Sequence, residues 1–137
     1  MKRNLLVAAA LALLITTAAS AQTVKLNVTV PFNFTVNRAT LPAGEYSVSS
    51  MDDHGTVLAI RNLNSKATNL VSSIACVKLS SATQSKLVFR RYGDHYFLNQ
   101  IWTEGNSDGR ELPPSAREKE IAQDFSTHEL VLVAARR

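Results

Sequence analysis

The sequence predicts an all-β fold: an antiparallel β-sandwich or partly closed barrel of about eight short strands, with one short helix near the C-terminus. Three observations lead there. From Val24 to Asn37 apolar and polar residues alternate without a break, the period of a strand with one buried face. Short apolar runs then recur at regular spacing, each closed by Gly, Pro, Asn, Asp or Ser, as in sandwiches and barrels. One segment reads as a helix start, Ser115 followed three residues later by Glu118 after Pro113-Pro114, the spacing of a capping box.

The elements follow in order. Val24, Leu26, Val28, Val30, Phe32, Phe34 and Val36 share one face. Pro31 cannot donate to a ladder, so the stretch reads as two strands, Val24–Val30 and Phe32–Val36, bent at the proline. Leu41-Pro42-Ala43-Gly44 is a turn, because Pro sets φ and Gly accepts positive φ. Glu45–Ser49 returns with Tyr46 and Val48 on one side. Asp52-Asp53-His54-Gly55 turns again into a strand over Thr56–Arg61, and Asn62–Ser65 makes the next turn. Asn69–Leu79 is β-rich, but its apolar residues change parity, which predicts a bulge or a sheet switch near Ser72-Ser73.

Lys86–Tyr92 and His95–Thr103 read as a hairpin about a Gly93-Asp94 turn. That register sets Phe89 opposite Leu98 and Arg91 opposite Tyr96. Leu87, Phe89, Leu98 and Trp102 then share a face expected to point inward. Val88, Phe97 and Ile101 share the other, so cover is expected on both sides. Gly105–Gly109 reads as a loop. Pro113-Pro114 lead into a polar helix of about Ala116 to Gln123, and Glu129–Ala134 closes the chain as a strand. Most strands are shorter than the ~9–11 residues of an outer-membrane barrel, which argues against that fold.

The N-terminus reads as an address. Met1-Lys2-Arg3 is basic, Leu5 to Ile15 is apolar throughout, and Ala19-Ser20-Ala21 offers small residues for cleavage. This is a secretory signal. The apolar run is too short for a bilayer core that needs about 20 residues. Residues 1–21 are thus expected to be removed. They leave a single β-rich domain at 22–137, periplasmic or extracellular, with no stable membrane anchor after cleavage. The mature segment carries 13 basic against 11 acidic residues, too even a balance to argue for nucleic acid. The chain has one Cys, so no disulfide within it supports the fold.

The candidates for chemistry are few. No G-x-S-x-G occurs. Cys76 lies in an apolar stretch and reads as a small buried hydrophobe or, in an exported chain, as a thiol for an intermolecular disulfide. Asp53-His54 and Asp94-His95 each join a carboxylate to an imidazole. If both turns met at one end of a sandwich they would hold zinc or copper, although Asp, Gly and His are also ordinary turn residues. Glu111, Glu118 and Glu120 sit among Arg110, Arg117 and Lys119, which reads as a solvated, ion-paired face rather than an acid/base pair. Arg91, Tyr92 and Tyr96 on the hairpin form a candidate ligand surface, since aromatic and basic residues together stack sugars or bases.

Several stretches resemble a group of small exported β-rich proteins of uncharacterised function, common in acidobacteria. They are Val30–Val36, Leu41–Val48, Leu87–Asp94, Tyr96–Leu98, Trp102 and Gly109–Pro113 followed by Ser115, Arg117, Glu118 and Glu120. The resemblance implies no activity, cofactor or site residue. Leu41-Pro42-Ala43-Gly44-Glu45-Tyr46 also resembles the turn into a strand of prealbumin-like sandwich modules. There Pro42 and Gly44 shape the turn and the Tyr46 hydroxyl caps a backbone carbonyl.

The expected function is that of an exported, non-catalytic β-sandwich module with a binding or structural role. Its partner would be a protein, a glycan or a small apolar ligand, and no cofactor is implied. A second reading is a small β-barrel carrier of an apolar ligand, lined by the Val24–Val36 face with Phe89 and Trp102. A third is a metal protein built on His54 and His95.

Overall fold

The computed structural model describes residues 24–136; the expected leader lies outside the described residues. Alternation in the first strand produces what period two requires. Leu26, Val28 and Val30 are buried, while Lys25, Asn27 and Thr29 are exposed. In chain order the elements are β1 (Lys25–Val30), β2 (Phe34–Val36), β3 (Ala39–Leu41), β4 (Gly44–Ser50), β5 (Val57–Asn62), β6 (Thr68–Ser72), β7 (Ile74–Val77), β8 (Lys86–Tyr92), β9 (His95–Trp102), β10 (Asp108–Glu111), α1 (Ala116–Ala122) and β11 (Glu129–Arg136). The all-β expectation holds, with eleven strands among the described residues rather than about eight. The additional ones are short. β2 and β3 have three residues each, and β7 and β10 have four, too few to display a period. Asp108 and Gly109, expected in a loop, open β10.

The strands run in the order β3-β2-β9-β8-β11-β1-β4-β5-β6, and β10 joins β7 to the end of β9. Pairing is antiparallel apart from one parallel bridge, Thr35 with Phe97. The chain bends into a nearly closed barrel at three places. At Pro31 it passes from β1, which pairs with β4, to β2, which pairs with β3 and β9. At Ser73 it passes from β6 beside β5 to β7 beside β10. β11 pairs with β8 over Glu129–Ala134 and reaches β1 at its last residues. The bend at Pro31 is thus where the proline placed it, and the switch at Ser72-Ser73 where the change of parity did.

The hairpin register is the expected one, Phe89 against Leu98 and Arg91 against Tyr96. Gly93 adopts φ +58°, the sign a type II′ turn needs at its first position. One residue beyond Leu98 the expectation fails. Phe89 pairs with Leu98 but Val88 pairs with Gln100, so Asn99 is an extra residue, a β-bulge. The bulge reverses parity for the rest of β9. Ile101 therefore joins Leu87, Phe89 and Leu98 in the barrel core, and Trp102 turns to the outer face with Val88 and Ala82. Trp102 is buried there at 1% exposure. Its ring lies so close to Gly109 that a Cβ at that position would sit 2.7 Å from it. Cys76 packs only partly against this outer cluster, so it is half-buried rather than a core residue. Its thiol is pushed up by burial first, then by Glu111.

The interior is filled by side chains from both walls. Phe34, Tyr46, Val48, Leu58, Ile60, Phe89 and Leu98 are all buried in one cluster. Phe89 meets Phe32 and Phe34 edge-on, at 5.0 and 5.4 Å between ring centroids, the favoured aromatic geometry. At the β3–β4 turn the Tyr46 hydroxyl donates to the Pro42 carbonyl. The Gly44 backbone lies beside the Tyr46 ring and Asn62.

Candidate functional site

Local sequence rules start α1 and tertiary contacts complete it. The Ser115 hydroxyl accepts from the Glu118 N–H at 3.2 Å, the first half of a capping box. The Glu118 carboxylate turns the other way. It accepts from Arg90 Nε at 2.6 Å, Arg90 Nη2 at 3.2 Å and the Tyr92 hydroxyl at 2.9 Å. Glu118 is 3% exposed, so the solvated face expected for Glu111, Glu118 and Glu120 is corrected at its central member. Arg90 and Tyr92 alternate on the outer face of β8, and α1 lies over them. The node is a clamp that fastens helix to sheet, because every polar atom of the carboxylate is engaged.

Tyr92 records this burial. Desolvation raises its pKa from the ordinary 10.0, and the Glu118 hydrogen bond and charge add to the rise. A raised folded-state value means the phenol's contribution is complete below the unfolded pKa and is lost as pH rises through the folded one. Stability is therefore expected to fall as pH climbs above about 10. Tyr92→Phe should flatten that fall in urea titrations at successive alkaline pH values. An unchanged alkaline slope would remove Tyr92 as its source.

The two Asp-His turns do not meet. Asp53 and His54 line a cleft of about 440 Å³ with Ile101, Thr103, Asp108 and Arg110. Asp94 and His95 line a second of about 220 Å³ with Asn33, Tyr96 and Arg117. Tyr96 and Ile101 lie toward opposite ends of β9, roughly 16 Å apart along the strand at about 3.3 Å per residue. Among the described residues no group of three or more His, Cys, Asp or Glu side chains is close enough to hold a metal ion. Arg110 in the larger cleft is tied down, with Nε donating to Ser73 Oγ and Nη2 to the Ser73 carbonyl, both at 2.9 Å.

The three hairpin residues named as a ligand surface fall on two faces. Arg91 lies over the Tyr96 ring at 5.4 Å, and Tyr96 stacks on Phe32 with 3.8 Å between centroids. Tyr92 is on the other side, buried under α1. The lining expected of an apolar carrier is likewise divided, since Phe89 is packed into the core and Trp102 is outside it.

A feature that sequence reasoning missed lies at the seam of the barrel. The Asn62 N–H donates to Ala67 and the Ser73 N–H to Thr56. Antiparallel ladders alternate, so residues 67, 69, 71 and 73 bond toward β5. The Lys78 N–H donates to Ser107, so residues 74, 76 and 78 bond toward β10. Thr68 to Val77 is thus one bent run, paired on one side and then on the other. The N–H and C=O of Thr68, Leu70 and Ser72 point away from β5, and no described strand pairs with them there. Along this edge runs a groove of about 240 Å³, bounded opposite by Thr35, Asn37, Pro113 and Ser115. The sequence signal was available: Thr68-Asn69-Leu70-Val71-Ser72 contains neither Pro nor charge.

Among the described residues no helix is long and apolar enough to cross a membrane. No family model matches the chain, and neither a curated protein nor a solved structure matches it.

Proposed function

We propose that the chain is an exported, non-catalytic β-barrel module that works by binding a protein partner in the periplasm or at the cell exterior. One observation carries this reading: β6 offers an edge that no strand among the described residues pairs with, beside an open groove in an otherwise filled barrel. Natural sheets blunt such edges with Lys, Pro or a bulge, because a bare edge recruits another chain. β6 has none of these within it, and Leu70 stands 60% exposed on it. The basic, apolar and small-residue leader supports export, as does the resemblance to small exported β-rich proteins.

The test has two arms. Lysine-reactive cross-linking in intact exporting cells should trap a defined protein adduct outside the cytoplasm, on a chain lacking residues 1–21. Purified protein should turn over none of a panel of chromogenic esters, glycosides and phosphoesters. A turnover abolished by His54→Ala or His95→Ala, or the absence of any adduct, would overturn the reading.

A further inference from the structure

We infer that the free edge of β6 accepts an extended acidic peptide segment of the partner as an added strand, an assignment that rests on the binding-module reading. Thr68, Leu70 and Ser72 supply alternate N–H and C=O groups, the requirement for strand addition. Among the described residues two other strands have a free side. β3 is three residues long and runs into Pro42. β7 is four residues long and has only Ala75 and Val77 facing away from β10, so each is a shorter template than β6. The groove beside β6 has a far wall at Asn37, Pro113 and Ser115. That enclosure favours a single strand over the edge of a second folded copy, which would bring its own neighbouring strand. Leu70 projects beside the edge and favours an apolar residue across from it.

Charge specifies the rest. Arg61 pairs in register with Thr68, Lys66 stands in the turn leading into β6, and Arg38 follows Asn37 at the far wall. None of the three belongs to an ion pair among the described residues. The one charged side chain lining the groove, Glu118, has its carboxylate taken up by Arg90 and Tyr92. The three cations stand around the groove rather than in it, Arg61 across β6 on β5. Carboxylates in a strand laid along β6 gain complementary charge from them.

The test selects peptides from a random displayed library against the purified protein and follows amide hydrogen exchange by NMR. Enriched peptides should alternate apolar residues with Asp or Glu and should slow exchange at Thr68, Leu70 and Ser72. Arg61→Glu with Lys66→Glu should weaken binding roughly tenfold at low salt. Leu70→Pro should abolish it yet keep the fold, because the Leu70 N–H faces away from β5. Should that variant fail to fold, the exchange pattern and the charge reversal still decide. Bound peptides that leave those three amides unchanged would sink the seam but spare the binding-module reading. Protection of the same amides in free protein as its concentration rises would assign the edge to a second copy and overturn the peptide. If no peptide enriches, the assignment falls; if cross-linking also yields no adduct, the binding reading falls with it.

Discussion

Glu118→Ala is expected to destabilise the domain by about 3–5 kcal/mol, the cost of leaving a buried partner charge uncompensated. Arg90 would lose both its Nε and Nη2 bonds to the carboxylate and keep only the weaker 3.3 Å contact to the Leu112 carbonyl. The Tyr92 hydroxyl would lose its acceptor. Urea unfolding measures this directly as a lower midpoint. A companion variant separates charge from packing. Replacing Arg90 by Met and Glu118 by Leu together should recover most of the loss, since well-packed apolar residues often substitute for a buried ion pair without penalty. If Glu118→Ala costs less than about 1 kcal/mol, the range of an exposed pair, the clamp is not buried in solution.

Phe89→Ala should cost a similar amount, about 3–5 kcal/mol, through lost transfer energy and the cavity left behind. Phe89 is fully buried, and its ring is held edge-on by Phe32 and Phe34, so neighbours from β2 and the β1–β2 bend cannot close over the gap without leaving their own strands. Leu132→Thr is the matched control. Leu132 is 57% exposed on β11 and should change stability by no more than about 0.5 kcal/mol. Equal effects at the two positions would mean that the barrel interior is not the source of stability. Because a domain of this size is stable by only ~5–15 kcal/mol, Phe89→Ala would remove a large share of that margin.

The seam and the clamp differ in how visible they were. The hairpin register followed from a two-residue turn and the apolar residues around it, so Phe89 and Leu98 were matched in advance. The switch at Ser72-Ser73 was visible as a change of parity, although its consequence, an edge left open at Thr68, Leu70 and Ser72, was not. Asn99 carried no signal of a bulge, and one uncounted residue was enough to send Trp102 to the opposite face. Glu118 looked like one more charge on a polar helix. Its partners lie 26 and 28 residues earlier in the chain, on a strand whose outer face is covered only once the helix has docked.

The sequence by itself determined the longer strands, most of their turns and which residues face inward wherever alternation is unbroken, because side-chain direction along a strand is a local property of the backbone. It also determined the chemistry of residues 1–21, basic, then apolar, then small, and, with a single Cys, the absence of an internal disulfide. Only the tertiary structure decided which edges are paired, which charges are buried and whether the Asp-His turns meet. Those outcomes depend on what comes to lie beside a residue from elsewhere in the chain. The Asp-His turns were brought to opposite ends of β9, and an edge with no chemistry of its own was left as the candidate site.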